Sequence, residues 1–333
     1  MTASTVFRPT GQRQRGAALL AAMLTVMLVA TFSAAALWQQ WRASEVEAAE
    51  RGRVQAAWVL IGALDWSRLI LREDALTGGP DHLAEPWAVP LAEARLTSFL
   101  SAEKNVASDN LEGLPDAFLS GRVVDAQSKL NVLSLVDGNK PVPASVATFT
   151  KLFNILGLPA SELSAMTASL VRALATGTDA AGGGDAGAAP LMPQEVSQLV
   201  WLGLSPSTAA ALEPYVTILP IRTPLNINTA SAEALSASLP SLSISDARQL
   251  VEKRTRSYFK QIADANAALP NGGTQFNAGQ HSVGTQFFEV YGRLRLDRTW
   301  VEERSLLQRD GVTVKTIWRN RGAGLATATP AKP

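Results

Sequence analysis

The sequence predicts an α+β fold in which one very long N-terminal helix packs on a small antiparallel sheet, and a large all-helical block is inserted into that sheet. Three observations lead to this prediction. A charge-free apolar run near the N-terminus continues into an amphipathic helical pattern without a break. Several short helices separated by tight turns follow a first strand, and three successive strands come after them.

The composition excludes several classes of function. The chain has 333 residues with 30 Lys and Arg against 29 Asp and Glu, so its net charge does not favour nucleic acid as a partner of the whole protein. The absence of cysteine excludes disulfides and thiolate sites. The only histidines are His82 and His281, both in loop-like sequence, and no nucleophile motif accompanies them. We therefore expect no enzyme activity.

The apolar run covers residues 17–37 and contains no charged residue. As a helix it would extend about 30 Å, enough to cross the hydrocarbon of a bilayer. Residues 1–16 are acid-free and carry Arg8, Arg13 and Arg15, so they should stay in the cytoplasm while the bulk of the chain crosses. The run is an ordinary anchor, a signal peptide cut near residues 33–36, or a helix behind a leader that is cut after Gly16.

The helical pattern does not stop at the end of this run. Trp38 and Trp41 mark a membrane interface. Apolar residues then recur three and four apart, on one face of a helix. They are Ala56, Val59, Ala63, Trp66 and Ile70. Thr77-Gly78-Gly79-Pro80 should end this helix.

Residues 121–135 predict a strand, and three helix–turn–helix segments around residues 153–163, 199–207 and 239–246 predict a helix-hairpin-helix-like repeat. Residues 177–190 and 270–285 are expected to be loops. Strands follow at residues 287–296, 300–308 and 312–318, the last two joined by an Asp310-Gly311 turn. Residues 321–333 are expected to be disordered.

One helical pair allows two interpretations. Residues 226–230, NINTA, resemble the start of DNA-binding helix-hairpin-helix modules. Such modules use glycines to bring backbone N–H groups close to a phosphate, but this turn has Ser241 and Ser243 there. Basic residues follow with Glu252 among them, and Asp246 is expected to cap a helix. A structural helical pair is favoured over DNA binding.

The segment RQRGAALLAAMLTVMLVATF resembles the prepilin-type N-terminus of type IV pilins and type II secretion pseudopilins. The resemblance implies that a prepilin peptidase cleaves between Gly16 and Ala17 and that the new amine of Ala17 is methylated. Most such proteins carry glutamate at the fifth mature position, which is Ala21 here. A carboxylate in hydrocarbon needs a partner from a neighbouring subunit, and a tip subunit has no such neighbour. By lacking this acid, the chain resembles the minor pseudopilin K family of the type II secretion system.

Three later segments resemble motifs of the same family. Residues 81–88, DHLAEPWA, resemble Asp-x-Leu-x-Glu-x-Trp-Ala. Residues 125–131, DAQSKLN, resemble Asp-x-x-Gly-Arg-x-Asn, with Ser128 and Lys129 as departures. Residues 225–230, LNINTA, resemble Asn-x-Asn-Thr-Ala.

The family often has an acidic stretch, Trp-x-Asp-x-Asp, after the first helical pair, and calcium is associated with the family. The equivalent segment here offers only Asp179 and Asp185, in a glycine- and alanine-rich loop. Calcium prefers six to eight oxygens, several of them from carboxylates. The two acids are the calcium candidates of this chain and form a poor site, so no cofactor is expected.

The resemblance implies a pilin-like fold with a SAM-like or helix-hairpin-helix-like insertion. The expected divisions are a cleaved leader (1–16), a transmembrane half-helix (17–37), a first pilin-like part (38–135), the inserted helical domain (136–270), a C-terminal meander (271–320) and a tail (321–333).

It also implies a single-pass inner-membrane protein with a periplasmic bulk, at the tip of the pseudopilus whose assembly it initiates. The implied partners are minor pseudopilins I and J, other pseudopilins, the inner-membrane secretion platform, membrane lipid and the prepilin peptidase, with no nucleic acid. The alternative is a membrane-anchored DNA-binding protein that uses its helix-hairpin-helix pairs.

Overall fold

The computed structural model describes residues 15–96, 117–175, 190–270, 273–296 and 299–323. The chain falls into two compact units, residues 1–57 and residues 58–333. Helix α1 (Arg15–Thr77) is continuous over 63 residues, as the pattern predicts. Gly78 and Gly79 follow it with φ of 69° and 121°, so glycine allows the left-handed turn that ends it.

In the first unit, the described residues belong to α1. Their apolar side chains are exposed along the predicted span, with Phe32 at 71%. The most apolar stretch has a mean hydropathy of 2.2 and no buried residue, so by length and composition this helix could cross a membrane.

The second unit contains a five-stranded antiparallel sheet in the order β1-β2-β9-β10-β11. Short two-residue strands β3 to β8 form three small pairs beside it. The strands are β1 (Leu91–Arg95), β2 (Ala117–Asp125), β3 (Leu130–Asn131), β4 (Val136–Asp137), β5 (Lys140–Pro141), β6 (Val216–Thr217), β7 (Leu225–Asn226), β8 (His281–Ser282), β9 (Phe287–Leu296), β10 (Thr299–Asp310) and β11 (Thr313–Ala323).

The last turns of α1 pack on one face of this sheet. Leu64 and Leu71 are buried in a cluster with Phe288 of β9 and Leu307 of β10. A glycine makes the approach possible, because a Cβ on Gly292 would lie 3.1 Å from the Leu60 Cδ2 atom. The face of α1 that packs on the sheet carries the buried Leu60, Leu64 and Leu71. The predicted stripe is therefore displaced from the buried face by one residue, and Trp66 of that stripe is 38% exposed.

Between β2 and β9 the chain forms a block of short helices. They are α2 (Pro143–Leu156), α3 (Ala160–Ala175), α4 (Pro206–Leu212), α5 (Ala232–Ser238), α6 (Ile244–Arg256) and α7 (Ile262–Asn266). A 3₁₀ helix, Val196–Leu202, precedes α4. Left-handed Gly157 and Gly203 form the turns of the first two hairpins, with φ of 68° and 99°. One hydrophobic core joins these helices, although β2 and β9 on either side of the block pair directly.

The structure corrects several predicted boundaries. The strand predicted at residues 121–135 ends at Asp125, because the Asp125 carboxylate accepts from the Gln127 N–H and starts a 3₁₀ turn. Asn131 caps a second 3₁₀ helix, Val132–Leu135, in the same way. Strand β1 was not predicted, and β10 and β11 are longer than expected. The loop at residues 270–285 contains β8. Most of the loop at 177–190 and of the tail lies outside the described residues.

Candidate functional site

The three later motifs meet in one buried polar cluster, which we call the junction. It comprises side chains from the end of α1, the loop after it, the end of β2 and the 3₁₀ turn that follows, the segment around β7, the loop before β9 and the end of β10. They are Asp74, Asp81, Glu85, Asp125, Gln127, Asn226, Thr229, Thr285 and Arg309. The junction thus ties the long helix, the sheet and the helical block together.

Asp125 is the centre of the junction and is 1% exposed. Its Oδ1 accepts from the Gln127 N–H (2.7 Å) and the Thr285 hydroxyl (2.6 Å). Its Oδ2 accepts from the Asn226 amide (2.9 Å) and the Thr229 hydroxyl (2.5 Å). Burial raises the pKa of Asp125 to about 6, although these hydrogen bonds oppose the rise. One carboxylate therefore links β2 to the β7 segment and to the loop before β9.

A second carboxylate binds a buried arginine. Arg309 donates to Asp81 at 2.5 Å, to Asp74 at 2.6 Å and to the Thr285 carbonyl at 2.9 Å. The Thr285 N–H donates to Asp81 at 2.6 Å. Burial raises the pKa of Asp81, and the charge of Arg309 opposes that rise. Phe288 lies 4.8 Å below the guanidinium, which therefore has partners on its edge and its face.

Glu85 closes the junction on the side of the tryptophan motif. It accepts from the His82 N–H (2.8 Å) and from the Trp87 indole N–H (2.7 Å). Burial raises the pKa of Glu85 to about 7. The Trp87 ring packs edge-on against Phe288 at 5.2 Å. The spacing Glu-x-Trp thus fixes a buried indole over the sheet.

The asparagines of the other motifs form hydrogen bonds with the backbone of nearby loops. Asn131 donates to the Ile221 carbonyl (2.7 Å), and Asn228 pairs with both backbone groups of Phe259 (2.9 Å each). The two departures from the family pattern have local partners. The Ser128 hydroxyl donates to the Asp125 carbonyl at 2.6 Å, and Lys129 donates to the Glu213 carbonyl at 2.9 Å.

The carboxylates of Asp74, Asp81 and Glu85 have oxygen atoms within 4.8 Å of one another, a spacing that a metal ion could use. Arg309 already supplies the positive charge to two of them, and Glu85 accepts two N–H groups. The cluster thus fits an ion pair with arginine better than a cation site. Asp179 and Asp185, the calcium candidates, lie outside the described residues.

The N-terminal site residues lie on α1. Gly16 and Ala17 are in its first turn, and Ala17 and Ala21 are exposed. Cleavage and methylation here remain predictions.

The helix-hairpin-helix turn is engaged within the chain. Lys151 of α2 donates to the Leu239 and Leu242 carbonyls at 2.7 Å. The Ser241 hydroxyl accepts from the Thr274 N–H, and Ser243 caps α6 through the Asp246 N–H. The basic residues around Glu252 are Lys253, Arg254 and Arg256. Of these, Arg254 is buried and donates to the Ile227 carbonyl at 2.6 Å. These contacts support a structural role for this helical pair and do not favour DNA binding.

The two histidines are placed differently from each other. His82 stacks on Tyr258 with ring centroids 3.8 Å apart, which joins the loop after α1 to the end of α6. His281 is 1% exposed, and burial lowers its pKa to about 4. Both histidines were predicted to lie in loops, but His281 belongs to β8.

Sequence reasoning missed Arg309, Thr285 and Asp74. A signal for Arg309 was present, because it follows Leu307 by two residues and strand alternation places both on the α1 side of the sheet. A buried arginine on that side needs acids nearby. Which acids it meets could not be read from spacing, since Arg309 and Asp81 are 228 residues apart.

Known proteins are similar to this chain over most of its length. Residues 128–221 and 225–284 match two family models, both described as type II secretion system (T2SS), protein K. The chain is 28% identical to type II secretion system protein K of Pseudomonas aeruginosa, covering 93% of this chain and 94% of that protein. It is 27% identical to the protein of the same name from Klebsiella pneumoniae, covering 93% and 97%.

A solved structure has the same fold. It is a chain of the GspK-GspI-GspJ complex from the type 2 secretion system of enterotoxigenic Escherichia coli, with a TM-score of 0.61 and 20% identity. The match covers 83% of this chain and 99% of that one. Two family models and relatives matched over nearly their full length thus make this chain similar to type II secretion system protein K.

Proposed function

We propose that this chain is the minor pseudopilin at the tip of a type II secretion pseudopilus and that it initiates assembly of that filament. The observation that carries the proposal is helix α1. Its exposed apolar part has the length of a membrane span, and the same helix continues to residue 77, where it packs on the pilin-like sheet. A filament subunit needs this continuity, because one helix must serve first as an anchor and then as a stalk.

The tip position is supported by Ala21 and by the helical block. A subunit with a neighbour above it would use a carboxylate at position 21 to pair with that neighbour's amine. Without such a partner, an acid in hydrocarbon costs about 3 kcal/mol. The alanine at this position therefore suits a subunit with no neighbour above it. The block of helices α2 to α7 makes the subunit bulky, which suits an end of a filament better than its middle. Minor pseudopilins I and J are the partners, by analogy with the solved complex of a similar chain.

In this proposal the prepilin peptidase removes residues 1–16 and the amine of Ala17 is methylated. The remaining protein stays in the inner membrane, with its bulk in the periplasm. Contacts with other pseudopilins and with the secretion platform come chiefly from α1.

The decisive experiment is mass spectrometry of the full-length protein extracted from membranes of a strain with an active prepilin peptidase. A mature chain that starts at methylated Ala17 is expected. Gly16→Leu should leave the leader in place, because a bulky side chain fills the space that glycine leaves open at the scissile bond. Gly11→Leu, inside the same leader, is the matched control and should be cleaved normally. An intact Met1 in the unsubstituted protein, or cleavage near Ala36, would contradict the proposal.

A further inference from the structure

A cavity of about 220 Å³ lies between α1 and the sheet, entirely within residues 58–333. Its walls are mostly apolar and come from α1, the segment from residue 86 to residue 91, β2, β9 and β10. They include Leu60, Leu64, Ile70, Leu119, Val123 and Val290. Protein interiors contain few voids larger than a water molecule. The core beside this cavity is closed to solvent, since Leu71 and Leu307 are both 0% exposed.

One part of the cavity wall is polar. Ser305 of β10 is 1% exposed, and its hydroxyl has no hydrogen-bond partner among the described residues. Glu303 also lines the cavity, but Arg319 and Arg321 hold its carboxylate at 2.8 and 2.6 Å. Buried hydroxyl groups nearly always have a partner. An occupant that fills the cavity and reaches Ser305 would supply both the missing packing contacts and a hydrogen-bond partner for the hydroxyl.

The size of the cavity narrows the choice of occupant. An apolar cavity of about 150 Å³ holds benzene, so the same packing in a cavity of this volume holds roughly nine heavy atoms. Indole has that size and a single N–H donor. Trp66 and Val89 line the cavity too and are 38% and 67% exposed, so an aromatic group could enter past apolar side chains.

We propose that this cavity is a binding site for an indole-sized aromatic group whose N–H donates to the Ser305 hydroxyl. Such a group can come from a free aromatic molecule or from the tryptophan side chain of a protein partner. The binding site is argued from the cavity alone; only the experiment with minor pseudopilins I and J rests on the proposed function.

The test uses the full-length protein in detergent and two probes of the same shape, indole and 1-benzothiophene, which has no N–H. Dissociation constants are measured by ligand-observed NMR titration. Ser305→Ala should weaken indole binding about 3- to 10-fold, the value of one hydrogen bond, and leave 1-benzothiophene within a factor of about 2. Gly62→Ala is the control, because a Cβ there would meet nothing within 4 Å, and it should bind both probes normally.

Filling the cavity is the second arm. Ala63→Leu from α1 and Leu119→Phe from β2 both add atoms to the void and should abolish binding of both probes. Thermal melting shows whether each variant is folded, and a folded variant that still binds would overturn the proposal. The proposal also fails if the unsubstituted protein binds neither probe, if Ser305→Ala weakens both equally, or if an experimental structure shows another side chain of this chain in the cavity.

Two measurements distinguish the sources of the aromatic group. Native mass spectrometry that finds an aromatic molecule retained on the purified protein supports a free ligand. In the second measurement, indole is added to complexes of purified minor pseudopilin I or J with this protein. Release from the unsubstituted protein, without release from the Ala63→Leu variant, supports a partner's tryptophan side chain as the occupant. If neither is observed, the assignment of a physiological occupant is overturned.

Discussion

Replacing Arg309 by methionine should lower the free energy of unfolding more than replacing an arginine in an exposed ion pair. The side chains of Arg309 and Asp81 are only 11% and 3% exposed, and that of Asp74 is 11% exposed. Methionine keeps most of the volume but leaves two carboxylates without their counter-charge. Removing one partner of a buried ion pair lowers the free energy of unfolding by about 3–5 kcal/mol. We expect a loss of about 3–4 kcal/mol.

The measurement is urea unfolding of the full-length protein in detergent, followed by tryptophan fluorescence. Trp87 should report the junction, because it donates to Glu85 and packs against Phe288. Arg222→Met is the matched control. Its pair with Asp137 is at 2.8 Å, and the two side chains are 43% and 72% exposed, so the expected loss is about 0–1 kcal/mol.

A double variant separates charge from packing. Asp81→Asn added to Arg309→Met removes one unpaired charge, while the amide oxygen can still accept from the Thr285 N–H. It should recover about 1–2 kcal/mol relative to Arg309→Met alone. The reasoning is refuted if Arg309→Met loses no more stability than Arg222→Met, or if the second substitution only adds to the loss.

Three further predictions concern other parts of the chain. Because burial raises the folded pKa of Glu85 from 4.5 to about 7, its stabilising contribution is complete below pH 4.5 and is lost as pH rises through 7. Glu85→Gln should therefore flatten the fall in unfolding free energy between pH 5 and pH 8. Glu252→Gln, at an exposed position, is the control and should leave that fall unchanged. Identical pH profiles of the two variants would contradict this prediction. Gly121→Ala should destabilise by about 1–2 kcal/mol, because its Cβ would lie 2.9 Å from the backbone carbonyl oxygen of Tyr291, whereas Gly62→Ala in an open helical position should stabilise by about 0.5–1 kcal/mol in the same urea assay. Ala21→Glu should still be recovered in the membrane fraction, and secretion assayed in culture supernatants should not improve; a gain in secretion would contradict the tip position.

Several elements could be predicted because their signals are local. The apolar run and the three- and four-residue spacing after it define α1, and Thr77-Gly78-Gly79-Pro80 marks its end. The Asp310-Gly311 turn with alternating residues around it predicts the last hairpin, although β10 and β11 extend beyond the predicted bounds. Strand ends depend on partners elsewhere in the sheet, and these are not visible in the strand itself.

The strand predicted at residues 121–135 shows how side chains override a local pattern. Apolar residues continue beyond Asp125, but the carboxylate of Asp125 and the amide of Asn131 accept backbone N–H groups and turn the chain into two 3₁₀ segments. Both side chains also bind residues about 90 to 160 positions away. Short polar side chains compete with strand pairing wherever such partners exist.

By itself the sequence determined the anchor-length apolar run, the continuous helix behind it, the helical block and the C-terminal meander, since each follows from residue periodicity and turn residues over a short stretch. It also supplied the three motifs as separate strings. Only the tertiary structure decided that these motifs meet in one junction, that Arg309 neutralises Asp74 and Asp81, and that a cavity remains beneath α1. The physical reason is that burial and charge pairing depend on distances in space. Residues separated by more than 200 positions, such as Asp81 and Arg309, become neighbours only when the sheet forms.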